Sequence, residues 1–152
     1  MPDLLVPLYS LPEKFRCDGF TVRRPMAHES ETIRNWIEVS FSTGWASEVL
    51  SAISRTPSTM IIALEKSTGK LAGFCGWDCT ALGFLGPVGV AEEYRGAGVG
   101  KAVTLEVLHC MRQQGYGYGV VGAAGPVDFF QSICKASVIP GSTPGIYPVP
   151  IT

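Results

Sequence analysis

Apolar residues along this chain recur with two periods, and the switches between them mark out its elements. Phe20 to Arg24 alternate before Pro25, the pattern of a short strand stopped by a proline. Ile33, Trp36, Ile37 and Phe41 fall at i, i+3, i+4 and i+8, the stripe of a helix that ends near Gly44. Trp45, Val49 and Ile53 share one face of a second helix, and Pro57 marks its stop. Thr59 to Glu65 is too short for an independent helix between Pro57 and the Ser67-Thr68-Gly69 turn, so it reads as a buried strand. Leu71 to Cys79 returns after that turn, and Phe84 to Val90 adds a third strand, making an antiparallel meander.

Helical spacing resumes after a glycine-rich turn. Val99, Val103 and Val107 lie along one stripe with Leu108 and Met111 beside it, and Gly115 closes the helix. Gly119 to Ala123 reads as a strand, Pro126 suits the first position of a short helix through Phe130 and Ile133, and Val138 and Ile139 form a last strand. Beyond them Pro140, Pro144, Pro148 and Pro150 exclude regular helix and most sheet pairing. That tail, residues 140–152, is either an ordered loop or a docked extension.

Composition narrows the class. A chain of 152 residues, 46% hydrophobic and 16% charged, is an ordered globular unit of one domain, mixing helices and strands in an α/β (α+β) class. Its net charge of −1 provides no broad attraction to nucleic acid, which is excluded as a leading partner. Cysteines at 17, 75, 79, 110 and 134 lack C-x-x-C spacing and suit free thiols in a reducing compartment. The two histidines, His28 and His109, stand far apart and away from carboxylates at ligand spacing, so no metal site is expected. No basic segment precedes an apolar run at the start, and no stretch of 18 apolar residues occurs. The expectation is a soluble, cytoplasmic protein without a membrane partner.

The richest chemistry lies in Tyr94-Arg95-Gly96-Ala97-Gly98-Val99-Gly100-Lys101, between a strand and a helix. Its glycines let backbone N–H groups from about Gly96 to Lys101 converge on an anion at the positive end of a helix. A Walker A loop is excluded, because Arg95 occupies the first glycine position and Ala102 the magnesium-binding hydroxyl position. A dinucleotide fingerprint is excluded too, since its third glycine would fall at Lys101. Arg95-x-x-Gly98-x-Gly100 instead resembles the acyl-CoA pyrophosphate loop of the GNAT superfamily of N-acyltransferases. The resemblance covers roughly Phe20 to Ile139, taken as the domain core, and the stretch from Phe84 through Ile146 resembles an uncharacterised bacterial subset.

That resemblance implies a mixed, mostly antiparallel, splayed sheet flanked by helices. It also implies acetyl-CoA as co-substrate, with no metal, and transfer of its acetyl group to a primary amine of a small molecule or peptide. Arg95, Gly96, Ala97, Gly98, Val99, Gly100 and Lys101 would hold the pyrophosphate. Val88, Gly89 and Val90 would contact the cofactor, with the Val90 N–H as oxyanion donor. Pro87 and its flanking glycines suit a strand that bulges and splays there. Phe129 and Phe130 fall on the short helix beside the cofactor, and Phe130 stands where many relatives place a thiolate-protonating tyrosine. Tyr147, Tyr118 and Cys134 are the spare donors, with Tyr147 the candidate acid. Asp78, ending its strand, is the candidate base. The Ser42-Thr43-Gly44-Trp45 turn would border the acceptor cleft, with Trp45 as core anchor or aromatic wall. The absent tyrosine keeps open an acyl-CoA-binding or sensing module with weak catalysis. A homodimer is common in the resembled family, although no interface is visible in the sequence.

Overall fold

Alternation and bounded apolar runs become strands, and the 3.6-residue stripes become helices. The computed structural model describes all 152 residues. Its strands are β1 (Leu4–Pro7), β2 (Phe20–Arg23), β3 (Met60–Glu65), β4 (Leu71–Trp77), β5 (Phe84–Val90), β6 (Tyr118–Val121) and β7 (Ser137–Val138). Its helices are α1 (Ser30–Ser40), α2 (Thr43–Ile53), α3 (Val99–Gln114) and α4 (Val127–Cys134). The seven strands form one sheet in the order β2-β3-β4-β5-β6-β1-β7, antiparallel throughout except for the parallel pair β5 and β6. No helix is long and apolar enough to cross a membrane.

Helices cover both faces, which is why β3 reads as unbroken apolar sequence rather than as an alternation. Met60 and Ile62 of β3 with Phe74 of β4 meet Ile33 and Ile37 of α1 and Val49 of α2. On the opposite face Ile61, Ala63, Cys75 and Trp77 join Leu105, Leu108 and Met111 of α3 and Phe130 and Ile133 of α4. The Ser42 hydroxyl accepts from the Trp45 N–H to start α2, 3.1 Å away. At the end of α3 the Tyr116 N–H bonds the Met111 carbonyl and Gly115 takes φ 111°, a Schellman close.

Several features depart from the sequence reading: the first helix, expected to end near Gly44, stops at Ser40, with Thr43 already opening α2, and β6 runs Tyr118–Val121 rather than Gly119–Ala123. The sheet starts at Leu4, well before residue 20, because β1 inserts between β6 and β7. Only four residues long and closed by Pro7, β1 is too short to show a period, yet Leu4 and Val6 are fully buried. The strand expected to reach Cys79 stops at Trp77, because Asp78 turns the chain with φ +56°. The last strand is Ser137–Val138, one residue earlier than expected.

Residues 9–19 then run along the outside of α3. The Pro12 carbonyl lies 2.8 Å from His109 Nε2, Lys14 pairs with Glu106 at 3.2 Å, and the Cys17 thiol donates to the Ala97 carbonyl. The proline-rich tail docks on β1. The Ile139 N–H donates to the Asp3 carbonyl, the Asp3 N–H to the Ser142 hydroxyl, and one Asp3 carboxylate oxygen accepts from the N–H groups of Ala123 and Ile146.

Candidate active site

The glycine loop runs from β5 into α3. Gly96 and Gly98 have φ of +85° and +89°, a region that side chains with a Cβ avoid. The six consecutive N–H groups from Gly96 to Lys101 donate to no acceptor within the protein, the first helical bond being Ala102 to Gly98. Unpaired donors at the positive end of a 16-residue helix are suited to cradle a phosphate anion. Val99 contributes only its backbone, because its side chain is buried in the core against Gly73.

Directly upstream, β5 leaves its parallel neighbour. It pairs with β6 only through Phe84 with Val120 and Leu85 with Val121. Trp77 faces Leu85 and Cys75 faces Val88, so Gly86 and Pro87 lie opposite Gly76 alone, a bulge that bends β5 away. The Ala91 N–H donates to the Ala72 carbonyl, so antiparallel alternation turns Gly89 toward β4 and the N–H groups of Val88 and Val90 away from it. The Val90 carbonyl confirms this polarity by accepting from Arg95 Nε at 3.3 Å. Two backbone donors therefore face the split between β5 and β6. Gly89 must lack a side chain, since a Cβ there would meet the rings of Phe41 and Phe74 at 2.7–2.8 Å.

The split opens into a cleft of about 770 Å³ lined by both strands, α4, the start of α2 and the tail. Its single charged side chain is Glu48. Glu48 Oε1 accepts from the Thr80 hydroxyl and from the Tyr147 hydroxyl, each at 2.7 Å. Burial of the Tyr147 hydroxyl end, joined by its hydrogen bond to Glu48 and the charge there, pushes that phenol up to about 12. Trp45 lines the same cleft while packing on Phe41 and Phe74, so it is core anchor and wall at once.

The sequence pattern of the Acetyltransferase (GNAT) family matches residues 28–127. The chain belongs to that family. Among solved structures, a fungal glucosamine N-acetyltransferase region of a multi-domain GH3 β-N-acetylglucosaminidase aligns with TM-score 0.75 at 15% identity, over 91% of this chain and 19% of that one. A GCN5-related N-acetyltransferase from Sphaerobacter thermophilus aligns with TM-score 0.71 at 20% identity, over 91% of this chain and 48% of that one. A GNAT family N-acetyltransferase from Escherichia coli, solved in complex with CoA, aligns with TM-score 0.51 at 18% identity, over 69% of this chain and 63% of that one. The chain thus spans less than half the length of the first two. Comparison with curated protein sequences returns no significant match.

Within this GNAT domain the residues singled out from sequence separate into two groups. Val88, Phe129, Phe130 and Tyr147 line the cleft, and the edge of the Phe129 ring would lie 3.5 Å from a Cβ at Gly100, which brings α4 beside the loop. The Arg95 side chain is tied to the Val90 carbonyl, and the Lys101 ammonium lies 4.6 Å from the centre of the Phe15 ring, near the loop. Asp78 does not join them. Its carboxylate is buried in its own turn, accepting from the Gly83 N–H, the Tyr116 hydroxyl and the Gln114 amide, so it pins structure and faces no substrate. Tyr118 pairs with Tyr9 on the surface, and Cys134 is buried, donating to the Phe130 carbonyl. Burial pushes the thiols of Cys134 and Cys79 up to about 11 and about 12, which keeps both protonated and poor nucleophiles at neutral pH.

Glu48 escaped the sequence reading. On a helix defined by Trp45, Val49 and Ile53 it looks like one more solvated position, and only the folded tail and the Thr80 turn reveal its place. Its one sequence signal was proximity to the Ser42–Trp45 turn.

Proposed function

We propose that this domain transfers the acetyl group of acetyl-CoA to a primary amine of a small molecule or peptide, by direct attack on the thioester. The observation that carries the reading is the run of six unpaired loop N–H groups that follows directly on the opened edge of β5. The loop and α3 would hold the pyrophosphate, leaving the pantetheine arm to replace β6 as the hydrogen-bonding neighbour of β5. The Val90 N–H then faces the thioester oxygen and stabilises the oxyanion. Family membership and the CoA-bound neighbour from Escherichia coli support acyl-CoA as the co-substrate.

Tyr147 is poorly matched to protonating the departing thiolate. A phenol at about 12 is a weaker acid than a thiol near 8.5, and this hydroxyl already donates to Glu48. The attacking nitrogen carries a surplus proton after addition, and that proton serves the thiolate.

Acetyl-CoA at about 100 times its Kd should add about 2.7 kcal/mol to native stability, a rise of roughly 5–10 °C in Tm for a domain of this size. Gly98→Val should abolish the shift, because a Cβ there would sit 2.7 Å from the Phe15 ring on a backbone at φ +89°. No shift in the wild type would refute the proposal. A second reading, an acyl-CoA sensing module, is favoured by Phe130, which brings no hydroxyl to the cleft. Release of CoA thiol across a panel of amines separates them: uniform silence with retained binding identifies the sensor.

A further inference from the structure

Glu48 stands on the face of the sheet covered by α1 and α2, while the glycine loop and α3 lie on the other. A thioester reaching in from the loop would present its carbonyl at the split between β5 and β6, where a nucleophile must approach from the Glu48 side. The carboxylate is held rather than free to swing. Thr80 and Tyr147 both donate to Oε1, whereas Oε2 makes no hydrogen bond and no Lys, Arg or His side chain lines the cleft to pair with it. Around it the walls are apolar, among them Trp45, Leu85, Pro87, Val121 and Phe129.

Taking the transfer reading as its basis, we propose that Glu48 binds the acceptor's ammonium and removes its proton, and that the acceptor is a primary monoamine on an apolar, aromatic-sized body. One carboxylate in an apolar cleft compensates one cation. A second anionic group on the acceptor would be desolvated there with no Lys, Arg or His side chain as partner and would repel Glu48. A polyhydroxylated amine would leave most of its hydroxyls unpaired.

Glu48 takes one proton from R–NH3⁺, and the freed nitrogen lone pair forms a bond to the thioester carbonyl carbon, moving the C=O electron pair onto oxygen. Collapse breaks the C–S bond, and the nitrogen's surplus proton passes to the CoA sulfur. Glu48 releases its proton to solvent, leaving R–NH–CO–CH3 and CoA–SH.

The test is calorimetric titration of 2-phenylethylamine, 2-phenylethanol and phenylalanine into the protein saturated with CoA, for the wild type and Glu48→Gln. The amine should bind at least tenfold tighter than the neutral alcohol or the amino acid. E48Q, which keeps an oxygen for Thr80 and Tyr147, should lose at least tenfold for the amine while binding CoA within twofold of wild type. Equal amine binding by E48Q, or phenylalanine binding as tightly as the amine, would overturn the assignment. Should E48Q fail to fold, the ranking of the three ligands on the wild type decides alone. Absence of CoA binding would sink the transfer reading instead, and the same titrations on the free protein would still decide the role of Glu48.

Discussion

Asp78 sits at φ +56° with its carboxylate accepting from the Gly83 N–H at 2.8 Å and the Tyr116 hydroxyl at 2.9 Å. Aspartate tolerates that backbone better than most residues, and the three donors would be orphaned without it. Asp78→Ala should cost about 2–4 kcal/mol in urea unfolding while leaving kcat for an amine within a few-fold below the melting range. A collapse of kcat with unchanged stability would return Asp78 to the chemistry. From sequence, Asp78 at a strand end stands out as the candidate base, whereas Glu48, in the middle of α2, looks like one more solvated helix position. Their neighbours come from Gly83, Tyr116, Thr80 and Tyr147, and none of these contacts is helical or strand periodicity.

Elements are joined by polar clamps as well as by cores. Arg23 at the end of β2 grips Glu29, just ahead of α1, through two bonds of 2.8 Å, and Glu29 also accepts from the Met26 N–H at 2.7 Å. The Arg23 hydrogen bond first, then that of Met26, hold the Glu29 carboxyl down at about 2, against an ordinary 4.5. A depressed carboxylate stabilises the fold fully above its unfolded value and loses that contribution as pH falls through its folded one. Between pH 5 and 2 the wild type should therefore lose about 1 kcal/mol more than Glu29→Gln, as read from denaturation midpoints across that window. Parallel slopes would show that the clamp carries no net stability. The periods placed α1, α2 and α3 well because each has an apolar stripe facing the sheet. β1 was missed because four residues cannot display a period, and its pairing partners lie near the other end of the chain.

At the scale of the molecule, both ends of the chain converge on one side of the cleft. β1 fills the sheet between β6 and β7, and Asp3 ties that strand to Ala123 and to the tail at Ile146, next to Tyr147. Asp3→Ala should lower stability by about 1–3 kcal/mol and speed amide exchange across residues 139–147. It should also draw the Tyr147 phenol from about 12 back toward 10, read by ultraviolet titration against Tyr147→Phe. A raised phenol pKa favours the docked tail below pH 10 and loses that contribution as pH climbs through 12. An unaltered Tyr147 titration in Asp3→Ala would mean that the tail docks without its tie to β1.

The sequence alone determined the glycine loop, the helical stripes, the central meander and the break at Gly86-Pro87. Each is encoded by local backbone freedom or by periodic burial within a few residues. Tertiary structure alone decided that β1 completes the sheet, that Asp78 anchors a turn, and that Glu48, Thr80 and Tyr147 meet at the cleft. Those outcomes depend on long-range pairing and on hydrogen bonds between segments far apart in the chain, which no local pattern of hydrophobic and polar residues records.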